Sequence, residues 1–297
     1  MGTELRSCIV CDGALRPALR KDGFDLVSCE TCGLLMRAEL PAREELQEIY
    51  APEYFKASAK DPADGYADYL ADAERHKETA SRRLSLLDRF VPVRGRLLDV
   101  GAAAGFFVAE AIRFGWEAEG IDIAPQVVEW GRRELHVPLQ VGGVTAVEAP
   151  GTFTVVTMWD YIEHSLDPVG ELATSNELLA DDGLVALSTG DSESLAARLS
   201  GSRWHLLTPR HHNFFFGAHT LGRLLERTGF EVVWLGHPGA RYSLAHLAYK
   251  LDRGARTDGT AAVARSFATS RVGRYSLPLN LFDIVTVVAR KVRPPLP

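Results

Sequence analysis

The sequence predicts an α/β fold: a mainly parallel, seven-stranded sheet with helices on both faces, preceded by a small N-terminal ribbon built on cysteines. Three observations predict it. From residue 91 onward, short apolar runs alternate with segments of helical period. The first of those runs ends in a glycine-punctuated turn, Gly101-Ala102-Ala103-Ala104-Gly105. All four cysteines lie in the first 32 residues, as two C-x-x-C pairs.

Taken in order, Arg96–Gly101 reads as a short buried strand, and Gly105–Phe114 as a helix closed by Gly115. Trp116–Ile123 is the second strand and Pro125–Leu135 the next helix, with proline at its first position. Pro138–Val141 and Phe153–Trp159 are strands, and Pro168–Ala180 a helix. Asp182-Gly183 turns into the strand Leu184–Thr189; His219–Thr228 is a helix ended by Gly229. Glu231–Leu235 and Leu281–Ala289 complete the sheet.

Residues 1–40 are turn-rich and form the ribbon, and 41–90 form a linker and helical lead-in, with a brief helix over Pro41–Phe55 and a long one over Tyr66–Phe90. The α/β domain takes 91–297. Two stretches near 190–217 and 236–280 break the alternation; excursions of that length are commonly functional loops, and we expect them to shape a ligand pocket.

The composition, 46% hydrophobic and 24% charged, is that of a soluble globular protein, and no run approaches the roughly 20 apolar residues of a membrane span. Met1–Val10 is too polar for a signal peptide, which predicts a cytoplasmic protein. A net charge of −6 argues against a polyanionic partner. The distribution is uneven: His237–Pro297 holds ten Lys/Arg against three acids, a solvated face or a phosphate contact.

Cys8, Cys11, Cys29 and Cys32 have the spacing of a four-thiolate site, each C-x-x-C turn presenting two sulfurs to one tetrahedral ion. Zn²⁺ is the expected metal. With four thiolates it has no open coordination position, so its role is structural.

The run Leu98-Asp99-Val100-Gly101-Ala102-Ala103-Ala104-Gly105-Phe106 is not a dinucleotide fingerprint, which would be Gly-x-Gly-x-x-Gly with amides facing a pyrophosphate. Asp99 stands where phosphates would lie and suits a cationic or zwitterionic ligand. The next strand ends in Gly120-Ile121-Asp122, an acid placed to accept a ribose diol. The fourth strand leads into Asp160-Tyr161-Ile162-Glu163-His164 and then Asp167-Pro168. These motifs, in this order, resemble the class I S-adenosylmethionine (SAM)-dependent methyltransferases over roughly Leu84 to Arg290. The resemblance implies a Rossmann-like sheet that binds SAM through Asp99, Gly101, Gly105 and Asp122, with Gly143 and Val144 near the adenine. Asp160 and the linker tyrosine Tyr54 complete the cofactor-facing set.

The whole plan, cysteine ribbon, Tyr-rich linker and sheet, is similar to the zinc-containing methyltransferases of deoxysugar nucleotides and natural-product sugars. That likeness implies a sugar-containing small-molecule acceptor, with His164 and His212 as catalytic groups and Glu163 and His211 beside them. The second motif is His211-His212 where those enzymes carry Glu-His, and their large extra C-terminal domain is missing, which favours O- over C-methylation. Two alternatives remain open: an RNA methyltransferase gripping nucleic acid through the ribbon, and a non-catalytic SAM-binding protein. Against the first, residues 1–40 carry five Lys/Arg and six acids, so the ribbon has no basic patch. A homodimer through the ribbon or the second excursion is the quaternary option that these segments offer.

Overall fold

The computed structural model describes residues 2–42, 45, 70, 72–238, 240–243 and 276–292. Tyr54, the Pro41–Phe55 helix beyond its first residues and most of the 236–280 excursion lie outside the described residues.

The N-terminal part contributes β1 (Thr3–Glu4), β2 (Leu15–Lys21), β3 (Phe24–Cys29), β4 (Leu35–Arg37) and β5 (Glu39–Leu40). Helix α1 (Ala73–Leu87) follows, then β6 (Arg96–Val100), α2 (Phe106–Arg113), β7 (Glu117–Asp122), α3 (Pro125–Glu134) and β8 (Leu139–Val141). Beyond these come β9 (Phe153–Trp159), α4 (Pro168–Leu178), β10 (Leu179–Gly190), α5 (Leu195–Ser200) and β11 (Phe214–Phe215). The chain closes with α6 (Ala218–Arg227), β12 (Phe230–Gly236), the paired β13 (Ala240–Ser243) and β14 (Ser276–Leu279), and β15 (Ile284–Lys291).

The predicted α/β class is what the structure shows: a seven-stranded sheet in the order β12-β15-β10-β9-β6-β7-β8, parallel except around β15. From β6 the chain steps outward to β7 and β8, then returns to β9 on the other side. This reversal leaves a crevice at the carboxyl ends of β6 and β9, where open α/β sheets bind ligands.

Strand alternation divides the core. Leu98, Val156, Val185 and Val287 face one layer with Leu172 of α4 and Leu224 of α6. Leu97, Val155, Ala186 and Val288 face the other with Leu84 of α1, Ala111 of α2 and Val128 of α3. Local chemistry sets the helix starts. The Asp167 side chain accepts the Gly170 amide at 2.9 Å and Pro168 follows it, so α4 begins on a cap and a preset φ.

Two features differ from the sequence expectation. The Asp182-Gly183 turn falls inside β10 as a bulge, with Leu179 paired to Phe153 and Leu184 to Val155. The 190–217 excursion is not a free-standing loop: its β11 adds an edge strand to the ribbon, giving a sheet of order β11-β4-β3-β2. Trp204, Phe214, Phe215 and Phe216 of this excursion are all buried.

Candidate active site and metal centre

The glycine turn sits at the crevice. Gly101 takes φ +75° and donates its amide to Ile121 O at 2.9 Å. Its α-carbon lies against the Tyr161 ring, where a Cβ would collide with Cδ2 and meet Cγ at 3.1 Å. Gly105 takes φ +81° as the N-cap of α2. Between them Ala103 is also left-handed, φ +47°, a conformation costing about 1–2 kcal/mol for a residue with a Cβ. Asp122 offsets that cost: Oδ2 accepts the Ala103 amide at 2.8 Å and Oδ1 accepts the Ala124 amide at 2.9 Å. One carboxylate therefore ties the glycine turn to the start of α3. Each oxygen keeps a second lone pair, and the side chain is half-buried, so the acid can also receive a vicinal diol.

Beneath the turn Asp99 is buried, and Thr157 Oγ1 donates to its Oδ1 at 2.6 Å. Burial pushes its carboxyl up to about 7, against the opposing effects of Thr157 and of Arg83. Arg83, on α1, donates to Asp160 Oδ2 at 2.7 Å and to Ser188 Oγ at 3.1 Å, with its guanidinium 4.5 Å over the Trp159 ring. Ser188 Oγ in turn donates to Asp160 Oδ1 at 2.9 Å. Asp160 thus fastens α1 to the edges of β9 and β10.

Glu163 and His164 lie on a 3-10 turn just past β9, on the same sheet edge as the glycine turn. The His164 ring meets His212 edge-on, centroids 4.7 Å apart. Each imidazole is fixed through Nδ1: His164 at 2.8 Å from His211 O, His212 at 3.0 Å from Leu206 O. A carbonyl can only accept, so Nδ1 carries the proton and Nε2 is the basic nitrogen of both rings. Burial lowers both: His164 to about 4, against the opposing hydrogen bond to the His211 carbonyl, and His212 well below the ordinary histidine range, helped by His164 and His211. Both rings are therefore neutral at pH 7.

Glu163 is 4% exposed, and its Oε2 has no hydrogen-bond partner among the described residues. Burial, with the Asp160 charge adding to it, pushes the carboxyl up to about 8. Glu163, His164 and His212 offer one ligand atom each within 4.8 Å of one another, a set that could take a divalent cation or pass a proton. The linkage sign is fixed. A carboxyl raised in the folded state contributes stability below its unfolded value of about 4.3, and loses it as pH rises through about 8. Glu163→Gln is accordingly expected to shrink the fall in unfolding temperature between pH 6 and pH 9. Scanning calorimetry at both values checks this, and an unchanged fall would show that Glu163 ionises freely.

The four cysteines converge in the ribbon. Cys8 Sγ is 3.5 Å from Cys32 Sγ and Cys11 Sγ 3.4 Å from Cys29 Sγ, far outside disulfide length. All four sulfurs lie within 4.8 Å of one another, the scale of a tetrahedral Zn–S site with edges of about 3.8 Å. Backbone amides of Val10, Thr31 and Cys32 point at sulfur, as suits thiolates. Burial pushes the Cys8 and Cys32 thiols up, Cys32 to about 11, so a shared cation is what would hold them ionised.

The sequence-predicted residues thus fall into three groups: Asp99, Gly101, Gly105 and Asp122 at the crevice, Glu163, His164, His211 and His212 beside it, and the four cysteines in the ribbon. Asp160 joins the first two groups, engaged with Arg83. Arg83, Thr157, Ser188 and Asn213 were not singled out from sequence. No helix among the described residues is long and apolar enough to cross a membrane.

A family model described as "Methyltransferase domain" matches residues 71–235. A ubiquinone biosynthesis O-methyltransferase of Xanthomonas campestris is 34% identical over 101 residues, 32% of this chain and 42% of that protein. The chain therefore spans less than half the length of that relative. The corresponding protein of Chromobacterium violaceum is 29% identical over 53% of this chain and 74% of its own. Among solved structures, a Burkholderia thailandensis 1,6-didemethyltoxoflavin-N1-methyltransferase with bound S-adenosylhomocysteine shares the fold at TM-score 0.52 and 16% identity, covering 94% of this chain and all of that one.

Proposed function

The chain belongs to the methyltransferase-domain family, and from that premise we propose that it transfers a methyl group from SAM to a hydroxyl of a small molecule. The observation that carries this reading is the placement of the His164–His212 pair on the same sheet edge as the Gly101–Asp122 cradle, joined to it through Tyr161. When bound, SAM supplies a methyl on a sulfonium. Asp122 would hold the ribose hydroxyls, Gly101 and Gly105 would let the backbone approach, and Asp99 would orient the turn from below. His212 Nε2 would take the proton of an acceptor hydroxyl as its oxygen is methylated. His164 and Glu163 would border the acceptor oxygen, and His211 anchors His164 through its carbonyl. Alignment supplies much of the rate of such a displacement, and a neutral base beside the oxygen supplies the rest.

A sugar hydroxyl is the acceptor we favour, because it ionises poorly and gains most from a fixed neutral histidine. The names of the curated relatives favour an oxygen acceptor of ubiquinone biosynthesis as the second reading. Labelled SAM offered with nucleotide-linked sugars, with ubiquinone-pathway extracts and with total RNA separates the two and tests the RNA alternative. Label in RNA alone would overturn the small-molecule reading. Asp122→Ala is expected to weaken SAM binding at least a hundredfold with the fold intact; unchanged affinity by titration calorimetry would show that the ribose lies elsewhere.

We assign Zn²⁺ to Cys8, Cys11, Cys29 and Cys32 as a structural ion. The expected result is one zinc per chain by elemental analysis. A folded, metal-free protein would sink the assignment.

A further inference from the structure

The ribbon reaches the histidine pair through a continuous chain of hydrogen bonds. Cys29 donates its amide to Leu34 O at 3.0 Å, which fixes the lead into β4. In β4, Met36 and Leu35 pair with Phe214 and Phe215 of β11. One residue further, the Arg37 amide donates to Asn213 O at 2.9 Å. Asn213 is 1% exposed, and while its carbonyl accepts from Arg37, its donors go to the turn past β9: its amide to Glu163 O at 2.8 Å, and Nδ2 to His164 O at 3.0 Å and Ser165 O at 3.1 Å. His212 is the preceding residue. The same buried cluster contains Cys8, Cys29, Cys32, Met36, Phe214 and Ile162, so apolar packing follows the hydrogen-bond route.

The His212 segment is not carried by a strand of the main sheet. It is held as an edge strand of the cysteine module and clasped to the turn past β9. We propose that the metal-bound ribbon is a positioning element for His164 and His212, with Asn213 as the clasp that sets one against the other. The inference takes its catalytic meaning from the proposed role of His212 but is tested by ring position, which is independent of that role.

Two variants of the full chain test it, each followed by three measurements: SAM affinity, turnover, and the ring resonances of His164 and His212 in a histidine-labelled sample. Asn213→Asp keeps shape and volume but turns the two Nδ2 donations into oxygen facing oxygen. The expected result is a drop in kcat of tenfold or more, displaced resonances for both rings, and SAM affinity within twofold of the parent, because the Gly101–Asp122 cradle lies on other strands. Cys11→Ser, which removes the half-buried ligand, is expected to release zinc and displace the same resonances, and Cys11→His to restore them by restoring a ligand. Unmoved His164 and His212 resonances in zinc-depleted Cys11→Ser would overturn the proposal. So would Asn213→Asp with parental kcat and parental resonances, and this variant decides if Cys11→Ser fails to fold. Displaced rings with no change in turnover would uphold the coupling and reject the base assignment instead, so the two failures are distinguishable.

Discussion

Replacing His212 by alanine is expected to lower methyl-transfer turnover by about a hundredfold to ten-thousandfold, the range that a positioned general base contributes, while SAM affinity stays within twofold. The side chain meets Leu206 O, Thr208 Oγ1 and the His164 and Phe215 rings, all outside the glycine turn, so ligand binding and chemistry should separate cleanly. A second signature is the acid limb of the rate profile. A base must be deprotonated to work, and an ordinary histidine loses activity as pH falls through about 6.5. Here burial holds His164 near 4 and His212 well below its usual range, so the parent enzyme should retain its turnover at pH 5.5. Stopped-time assays with labelled SAM from pH 4.5 to 8 give both readouts. Parental turnover in His212→Ala would reject the base, and an acid limb centred near 6.5 would show that the ring is solvated in the working enzyme. His164→Ala serves as the comparison: it removes the edge-on partner and should lower turnover less if His212 takes the proton.

The fold was legible because its signals are local. Short apolar runs, Pro168 behind the Asp167 cap, and glycines at Gly101, Gly105, Gly115 and Gly229 all report conformations that a few neighbouring residues decide. The cysteine site was legible for the same reason, since a C-x-x-C turn brings two sulfurs together by itself. The Asp182-Gly183 pair shows where a local signal misleads: its left-handed Asp182 marks a turn, and tertiary pairing with β9 absorbed it as a bulge. What could not be read from sequence was the pairing of distant segments. Nothing around Phe214 says that it will lie beside Met36, 178 positions away, and only that ladder explains why Asn213 is buried. Arg83 was not legible because its partners are remote in sequence: from α1 its guanidinium joins Asp160, just past β9, and Ser188 on β10. Asp160 illustrates a harder limit. Its position after β9 suits the crevice, yet position alone does not show that Arg83 occupies its carboxylate.

Gly101→Ala should have the second large effect, and the geometry says why. The backbone there is left-handed at φ +75°, which costs an alanine about 1–2 kcal/mol, and the new Cβ runs into the Tyr161 ring, whose Cγ and Cε2 would lie at 3.1 and 3.2 Å. The ring cannot retreat as a flexible chain end would, because the contact is near its root. Its displacement would be passed to Glu163 and His164, two and three residues along the same turn. The expected outcome is a loss of SAM affinity of a hundredfold or more, a fall in unfolding free energy of about 1–3 kcal/mol from the strained backbone, and lower turnover even at saturating cofactor. Gly143→Ala is the contrast: it has no positive φ, and a Cβ there meets nothing within 4 Å, so stability should be unchanged. Denaturant titration and calorimetry on both variants measure these effects. Pairing Gly101→Ala with Tyr161→Leu separates the two causes, because the smaller side chain relieves the collision and leaves the backbone strain. Recovery of turnover with stability still depressed is the expected result. Gly101→Ala with parental SAM affinity would mean that the turn does not carry the cofactor, and the Asp122 test would then have to fail with it.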